Sequence, residues 1–450
     1  MHRPQHLVTG SQHRQQWLTV GIILLLLTAG RVPTVAADEE RFRLSDDLPL
    51  TATRVRYSIR IDGQVMTPSA GGMQKFDLTS SGRFDFQQRR IASEQPGAAG
   101  VQGRRRFTVA GTETSVDGHR TAVSLPATRR QIQICGEDNQ LVSFCEQSAL
   151  TRNELDLIQM PFDPLAVRFV LPVAQVAVDE KWNTDAWVMP VLTGIETAID
   201  QTASCSLKTC TDKEAVVTFR GNMKGAVRGS AASVTYSGEF TIDRISGLIT
   251  AFKGQQKEKR TAGPVSPGLD ITANVSWQQS ADPSFSPTGL KAITTTAAQK
   301  RLQFRTPGGL GFQHSREWHL FHQTGSVTML RQLRQGELIS QCNISTHVTV
   351  PPKQHTPDRE FSRDVATAVQ ERKGEVIDEK TIRDDGTWRI LRIRTRGRTE
   401  DDTIQWDHYL CSAVSGEQFT ILFSHSQSDD AEFGNEADTL LSTLKLAEKR

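Results

Sequence analysis

The sequence predicts an α+β fold with two domains, and two hydrophobic patterns carry that prediction. From Asp38 to about residue 280, apolar and polar residues alternate with the two-residue period of β-strands that have one wet face. After residue 300, segments with the period of amphipathic helices flank further strands. We therefore expect a β-rich domain at 38–280, a linker at 281–300, and an antiparallel sheet covered by helices at 301–450.

The amino-terminal domain is predicted to be a meandering antiparallel sheet. Val55, Tyr57 and Ile59 alternate with arginine and serine residues, which gives one apolar and one polar face. Segments such as Asp243–Gly247 supply turns, and one short helix is predicted at Thr151–Gln159. The other strand candidates are Met73–Leu78, Gly82–Arg89, Arg106–Val109, Gln131–Cys135, Trp182–Pro190, Ala215–Arg220, Ser233–Ile242, Leu248–Lys257 and Ile271–Gln278.

The carboxy-terminal domain is predicted to place two helices around strands. Thr356 and Pro357 stand in the cap and first-turn positions of the first helix, and Gly374 ends it. A second amphipathic helix covers Phe433, Ala437, Leu440, Leu441 and Leu444. Three strands are predicted between these helices, at Trp388–Arg396, Ile404–Val414 and Gln418–Ser424.

The amino terminus has the pattern of a secretory signal peptide at 1–37. The apolar run Trp17–Ala29 follows a stretch whose fixed charges are Arg3 and Arg14, and small residues precede Asp38. Nothing after residue 37 is apolar enough to anchor the chain in a membrane. The sequence therefore predicts a secreted or periplasmic protein without a transmembrane anchor after signal cleavage.

The charge of the mature chain gives no support for binding to nucleic acid. The whole chain has 53 basic and 51 acidic residues, and removal of Arg3, Arg14 and Arg31 with the signal leaves 50 against 51, a formal charge of −1. A nucleic-acid-binding domain would be strongly basic. A nucleic-acid partner is therefore not expected.

Six cysteines in an exported chain predict disulfide bonds. Cys135 and Cys145 bracket one short segment, and Cys205 and Cys210 bracket another, as clips across turns would require. Cys342 and Cys411 lie on two predicted strands and would form a long-range bridge if those strands are neighbours. The sequence has no Cys-x-x-Cys motif, so a redox or metal role for these cysteines is not expected.

Both domains resemble known families of bacterial exported proteins. The carboxy-terminal hairpin HYLCSAVSGEQFTILFSHS, followed by the helix EADTLLSTLKL, resembles the PsbP/Mog1-like α/β/α fold. The segments LPVAQVAVDEKW and GEFTIDRISGLITAF resemble the secreted β-rich domains of the LolA/LppX style. The second resemblance implies a curved sheet or half-barrel. Those families mostly bind apolar chains or act as assembly factors, so the resemblances imply binding more than catalysis and transfer no catalytic residue.

Two groups of residues are candidates for ligand binding. Inward-facing apolar side chains of a half-barrel would line a cavity for an acyl chain, although the same alternation is expected of residues that fill a core. Arginines of equal parity on one strand would grip an anion, although a ladder of charge pairs with a neighbouring strand is the alternative, with Arg396 opposite Asp407. The apolar candidates are Phe76, Leu78, Phe84, Phe86, Val188 and Phe240. The arginine candidates are Arg392, Arg394, Arg396 and Arg398.

A further basic group flanks the loop Pro96–Gly103 and could hold phosphates or acidic sugars, or could be a soluble hairpin tip. It consists of Arg83, Arg89, Arg90, Arg104, Arg105 and Arg106. His319 and His322 would lie on opposite faces of a strand, so they are not expected to share a metal.

The sequence lacks Gly-x-Ser-x-Gly, Walker and GxGxxG motifs, and no catalytic residue, cofactor or metal site is predicted. The function predicted from these observations is a secreted, non-enzymatic binding or envelope-assembly protein. Its ligand would be a lipid-type apolar molecule held in the β domain, and its partner an envelope protein. The alternatives are an extracellular hydrolase acting on polysaccharide or peptide, and a purely structural envelope protein. The oligomeric state stays open.

Overall fold

Antiparallel strands dominate the computed structural model, which describes residues 40–44, 52–286, 291–398 and 402–447. Strands account for 56% of the described residues and helices for 14%. The expected α+β class is therefore wrong, and the fold is mainly β. The predicted signal peptide at 1–37 lies outside the described residues. Of the helices within the described ranges, none has the length and apolar character needed to cross a membrane.

The amino-terminal part consists of long strands interrupted by two short helices. The first strands are β1 (Arg41–Phe42), β2 (Thr53–Ser69), β3 (Gly72–Arg90), β4 (Gln102–Val116), β5 (His119–Ser124), β6 (Gln131–Glu137) and β7 (Gln140–Phe144). They are followed by α1 (Arg152–Ile158), β8 (Val176–Ala177), β9 (Lys181–Trp182) and α2 (Val188–Thr193). The last strands are β10 (Thr197–Cys210), β11 (Glu214–Val227), β12 (Ser230–Asp243), β13 (Leu248–Arg260) and β14 (Gly268–Ala281).

Twelve of these strands form one antiparallel sheet in the order β7-β6-β4-β3-β2-β14-β13-β12-β11-β10-β9, with β5 paired to β4. Strands β1 and β8 form a separate two-stranded sheet. The predicted strands Met73–Leu78 and Gly82–Arg89 both belong to β3. The predicted strand Trp182–Pro190 is not formed, because its second half enters α2, which ends at Gly194 with a left-handed φ of 75°.

The carboxy-terminal part contains shorter strands and short helices. It begins with α3 (Ala297–Lys300), β15 (Leu302–Arg305), β16 (Leu310–His314), β17 (Trp318–Gln323), β18 (Val327–Arg334) and β19 (Glu337–Thr346). It continues with α4 (Asp358–Glu371), β20 (Glu375–Asp384), β21 (Trp388–Arg398), β22 (Thr403–Ala413) and β23 (Gln418–Ser426). It ends with α5 (Asp430–Phe433), α6 (Glu436–Ser442) and β24 (Lys445–Leu446).

The carboxy-terminal sheet differs from the expected sheet covered by helices. Its seven strands follow the order β17-β18-β19-β23-β22-β21-β20. Helix α4 packs Phe361, Val365 and Val369 from one face against the sheet. At 14 residues it is the longest of the described helices. The second expected helix is split at Gly434 and ends early, because the chain then enters β24 and pairs with β16. Strand β20 was also not predicted.

A buried loop fixes the apolar face of the large sheet. The loop follows α1, whose first turn is closed by a capping box between Thr151 and Glu154. It runs through Met160–Pro164, and its backbone accepts hydrogen bonds from the Tyr57 hydroxyl (2.8 Å, to the Pro161 carbonyl) and the Trp277 indole (3.0 Å, to the Phe162 carbonyl). The sheet therefore holds the loop by polar contacts within an apolar core.

The six cysteines are free thiols, so the expected disulfides are not formed. Cys205 and Cys210 lie on the same strand, β10, and five residues of a strand span about 17 Å. A disulfide requires Cα atoms within about 7 Å. Cys342 on β19 and Cys411 on β22 are separated by the intervening strand β23. Burial raises the pKa of the Cys205 thiol to about 12, which keeps that thiol protonated.

Two arginines join the amino-terminal and carboxy-terminal parts through backbone carbonyls. Arg152 of α1 donates to the carbonyl of Trp318 at 3.1 Å. Arg316 donates to the carbonyl of Ser143 at 2.6 Å and to that of Lys300 at 2.9 Å. Burial lowers the pKa of both guanidinium groups to about 10. Charge-assisted hydrogen bonds to Trp318 and Ser143 therefore connect the two parts of the chain.

This junction also buries a histidine that should make stability depend on pH. His314 is 2% exposed, and burial, with a smaller effect of the Arg152 charge, lowers its pKa to about 4. The unfolded chain binds a proton near pH 6.5 and the folded chain does not, so stability falls as the pH falls from 6.5 towards 4. We expect His314→Gln to lose about 1 kcal/mol less per pH unit than the parent protein between pH 6.5 and 5.

Urea unfolding at a series of pH values measures this difference. His322→Gln, at an exposed position on β17, is the control and should follow the parent. Equal slopes for the parent protein and His314→Gln would show that His314 does not carry the effect.

Candidate functional site

A groove of about 1110 Å³ crosses the solvent face of the large sheet. A twisted sheet is saddle-shaped, so it can hold a core on one face and a groove on the other. The groove follows one row of paired residues, one from each of eight consecutive strands, whose seven spacings cover about 34 Å. From β3 to β9 this row is Gly82, Ile59, Val275, Gly254, Gly238, Phe219, Cys205 and Trp182.

Two glycines let aromatic rings pack directly beneath the groove. A Cβ atom at Gly254 would lie 2.5 Å from the Phe252 ring, and one at Gly238 would lie 2.7 Å from the Phe219 ring. Phe219 and Phe252 are both buried and their rings stack with centroids 6.0 Å apart. The row therefore points into the core, and the residues on either side of it point into the groove.

Polar side chains form both walls of the groove. The residues are six serines, a threonine, two amides, five cations and one glutamate. The first wall, in strand order from β3 to β9, is Arg83, Ser58, Ser276, Lys253, Glu239, Thr218, Ser206 and Lys181. The second wall, from β3 to β10, is Ser81, Arg60, Asn274, Gln255, Ser237, Arg220 and Ser204.

Hydrogen bonds between neighbouring strands hold part of these walls in place. The hydroxyls of Ser58 and Ser276 are 2.8 Å apart, and the Gln255 amide donates to Asn274 at 2.9 Å. Ser237 makes no side-chain hydrogen bond to any residue that the structure describes. The walls thus combine fixed polar groups with hydroxyls that are free to meet a ligand.

The groove is positively charged. Arg60 pairs with Asp62 at 3.0 Å, and the carboxylate of Glu239 accepts a bond from Lys208 at 3.2 Å. The other four lining cations form no ion pair with a described residue. A polar surface that carries unneutralised positive charge attracts anions. These four cations are Arg83, Lys181, Arg220 and Lys253.

The groove has little that could perform acid–base or metal chemistry. Glu239 is the one carboxylate among its lining residues, and Lys208 neutralises it. In the described ranges, no three His, Cys, Asp or Glu side chains are placed to bind a metal ion. The arrangement is suited to binding a ligand by charge and hydrogen bonds.

The six apolar candidates lie away from the groove. Phe84, Phe86 and Phe240 are packed in the core of the large sheet, and Val188 lies at the start of α2 rather than on a strand. Phe76 and Leu78 are half-buried near the amino-terminal end of β3. None of the six is among the residues that line the groove. A cavity for an acyl chain stays a prediction.

The four arginine candidates lie on β21, and acidic partners neutralise two of them. Arg392 contacts Asp378 at 2.6 Å, and Arg394 forms two hydrogen bonds, of 2.7 and 3.1 Å, with Asp407. The expected pairing of Arg396 with Asp407 is shifted by two residues, because Arg398 pairs with Thr403 across the hairpin. The charge-pair ladder is the arrangement that the structure contains for these two arginines.

Two arginines of the basic group around Pro96–Gly103 lie in different places, one in the core and one at the groove. Arg105 is 2% exposed and pairs with Asp163 inside the protein. Arg83 reaches the groove. Sequence reasoning missed the other three unneutralised cations there, although each occupies a polar position of an alternating strand or its edge. Their convergence depends on pairing between strands far apart in the sequence.

Comparisons with known proteins provide no family for this chain. No family model matches it, and no curated protein matches it. Three solved structures resemble it weakly: DynF from Micromonospora chersina (10% identity, TM-score 0.15, covering 57% of this chain and 91% of that one), Pseudomonas aeruginosa OccK2 (8%, 0.13, 85% and 100%) and kievitone hydratase from Nectria haematococca (9%, 0.14, 88% and 96%). TM-scores this low carry no structural argument. The resemblances to LolA/LppX and PsbP/Mog1 proteins stay predictions.

Proposed function

We propose that this chain is a secreted, non-enzymatic binding protein that captures an extended anionic ligand in the groove across its large sheet. The observation that carries the proposal is the set of four cations that form no ion pair with a residue the structure describes, on walls made largely of hydroxyls and amides. The seven strand spacings of about 34 Å suit a chain-like ligand better than a compact one. Binding would place ligand anions beside guanidinium and ammonium groups while hydroxyls meet its neutral parts.

The charge of the groove supports this ligand over an apolar one. Arg220 and Lys253 are exposed, so solvent reaches them before binding, and neither has to leave an ion pair with a described residue. A ligand anion would replace water at these groups, and charge-assisted hydrogen bonds are about twice as strong as neutral ones. An acyl chain would instead have to cover these charges and desolvate them at a cost.

A hydrolase acting in the groove would need a second acid–base group. Retaining and inverting glycosidases use two carboxylates, and the groove supplies Glu239 alone. A purely structural protein would give no reason for unneutralised charge along a groove. Binding is the function that fits both observations.

Loss of two central cations should abolish most of the binding. We expect the double variant Lys253→Gln/Arg220→Gln to bind dextran sulfate, a flexible polyanion, about 10- to 100-fold more weakly than the parent protein, since each charged contact contributes about a factor of three to ten. Isothermal titration calorimetry at low salt measures this loss.

Lys224→Gln is the matched control. Lys224 lies on β11 on the same face as Arg220, but outside the groove, so its removal changes net charge and leaves the lining intact. This variant should bind within about twofold of the parent. If the control and the double variant weaken binding equally, or if neither weakens it, the groove is not the site. Far-ultraviolet circular dichroism checks that each variant folds.

A further inference from the structure

The four unneutralised cations are spread along the groove at steps of two or three strands. Arg83 lies on β3, Lys253 three strands further on β13, Arg220 two strands further on β11, and Lys181 two strands further on β9. At about 4.8 Å between strands, these steps are roughly 14, 10 and 10 Å. A linear ligand that lies across the strands would therefore meet one unneutralised cation about every 10 Å or more.

This spacing is too wide for a nucleic acid. The phosphates of one strand are about 3.4 Å apart in a helix, so about two or three would fall between successive cations without a partner. Sequence-tolerant binding of single strands also needs aromatic faces on which bases stack. The two walls contain no aromatic side chain, and the Phe219 ring lies on the core side of the sheet.

Hydroxyls and amides fill most of the intervals between the unneutralised cations, and the other two groups there are Glu239, bound by Lys208, and Arg60, bound by Asp62. Ser237 on β12 lies between Lys253 on β13 and Arg220 on β11, and Gln255 and Asn274 lie beside it along the second wall. Groups of this kind both donate and accept hydrogen bonds, as sugar hydroxyls require. Apart from these two paired groups, unneutralised cations and neutral polar groups therefore alternate along the groove.

We propose that the ligand is a linear acidic polysaccharide whose anionic groups are separated by uncharged sugars, so that one carboxylate or sulfate meets each cation and a neutral sugar meets the hydroxyls between. This proposal rests on the proposed function of anionic ligand capture in the same groove and adds the spacing of the charges. A polysaccharide with an acid on every sugar would leave about half of its charges facing hydroxyls.

Competition among polyanions of different charge spacing tests the inference. The probes are groove-length fragments of hyaluronan, with one carboxylate per two sugars, of polygalacturonate, with one per sugar, and an oligothymidylate. We expect the full chain to bind hyaluronan at least about fivefold more tightly than either of the others, and a neutral glucan not measurably. Shorter hyaluronan fragments should bind more weakly, because they reach fewer cations.

Two variants separate this inference from general attraction of anions. Ser237→Ala should weaken hyaluronan binding about three- to tenfold, through the loss of hydroxyl contacts to the neutral sugar, and leave oligothymidylate binding unchanged. Lys253→Gln should weaken every charged probe that binds, while Lys224→Gln should weaken none.

Equal or tighter binding of polygalacturonate or oligothymidylate would overturn the spacing inference and leave anionic capture standing. Absence of binding to all charged probes by the folded full chain would overturn both.

Discussion

Replacing Asp163 with asparagine is expected to remove about 3–5 kcal/mol from the free energy of unfolding. Asp163 and Arg105 are 4% and 2% exposed, and two hydrogen bonds join them, one of 2.8 Å. The side chain of Gln88 accepts from the same guanidinium, whose carbon lies 4.7 Å from the centre of the Phe86 ring. The substitution leaves a buried guanidinium without its counter-charge, and breaking such pairs costs several kcal/mol.

Chemical denaturation of variant and parent measures this loss. The control is Asp85→Asn, which breaks an ion pair at the surface. The side chain of Arg54 in this pair is 44% exposed and that of Asp85 is 22% exposed. Exposed pairs contribute about 1 kcal/mol or less. A loss below about 1 kcal/mol for Asp163→Asn would show that water or another group compensates the Arg105 charge.

A double variant distinguishes the cost of leaving the Arg105 charge unpaired from the cost of any change at position 163. Arg105→Met/Asp163→Leu removes both charges and keeps similar volume, and such replacements of buried pairs are often neutral. Asp163 also accepts the backbone N–H of Leu165 at 2.8 Å, so the double variant should still lose about 1 kcal/mol through that group. It should therefore be more stable than the single variant. A double variant less stable than Asp163→Asn would contradict the argument.

The local elements could be predicted because their signals lie within a few residues. Thr151 and Glu154 are three apart, and this spacing specifies the capping box that begins α1. The alternation of Val55, Tyr57 and Ile59 with polar residues likewise predicts β2 and its faces. Helix α4 begins one residue later than predicted, with Pro357 rather than Thr356 at the cap.

The long-range features could not be predicted, because pairing between distant strands decides them. Arg83 and Lys181 line one groove although almost one hundred residues separate them. Cys342 and Cys411 could form a disulfide only if their strands were neighbours, but β23 returns to lie between them. Arg105 has the same parity as the buried Phe107, yet parity alone does not reveal that Asp163 lies opposite it. The sequence pattern shows which face of a strand a residue occupies, but the order of the strands in the sheet decides which residues meet in a site.

Phe162→Ala is expected to lower the free energy of unfolding by about 3–5 kcal/mol, the usual cost of removing a fully buried phenylalanine. Phe162 has no exposed surface, and its ring centre lies 5.1 Å from that of Phe252 and 5.8 Å from that of Phe219. Chemical denaturation measures the loss. Phe321→Ala, at a position that is 46% exposed, is the control and should lose about 1 kcal/mol or less.

The backbone conformation of Phe162 also predicts the relative stability of the glycine and alanine variants at this position. Its φ is +52°, a left-handed conformation that costs a residue with a Cβ about 1–2 kcal/mol and costs glycine little. The loop cannot relax without loss, because the Phe162 N–H donates to the Leu192 carbonyl at 2.7 Å and its carbonyl accepts from Trp277. Phe162→Gly should therefore be as stable as Phe162→Ala or more stable, the reverse of the order at ordinary positions. A glycine variant clearly less stable than the alanine variant would show that the loop abandons its left-handed conformation once the ring is gone.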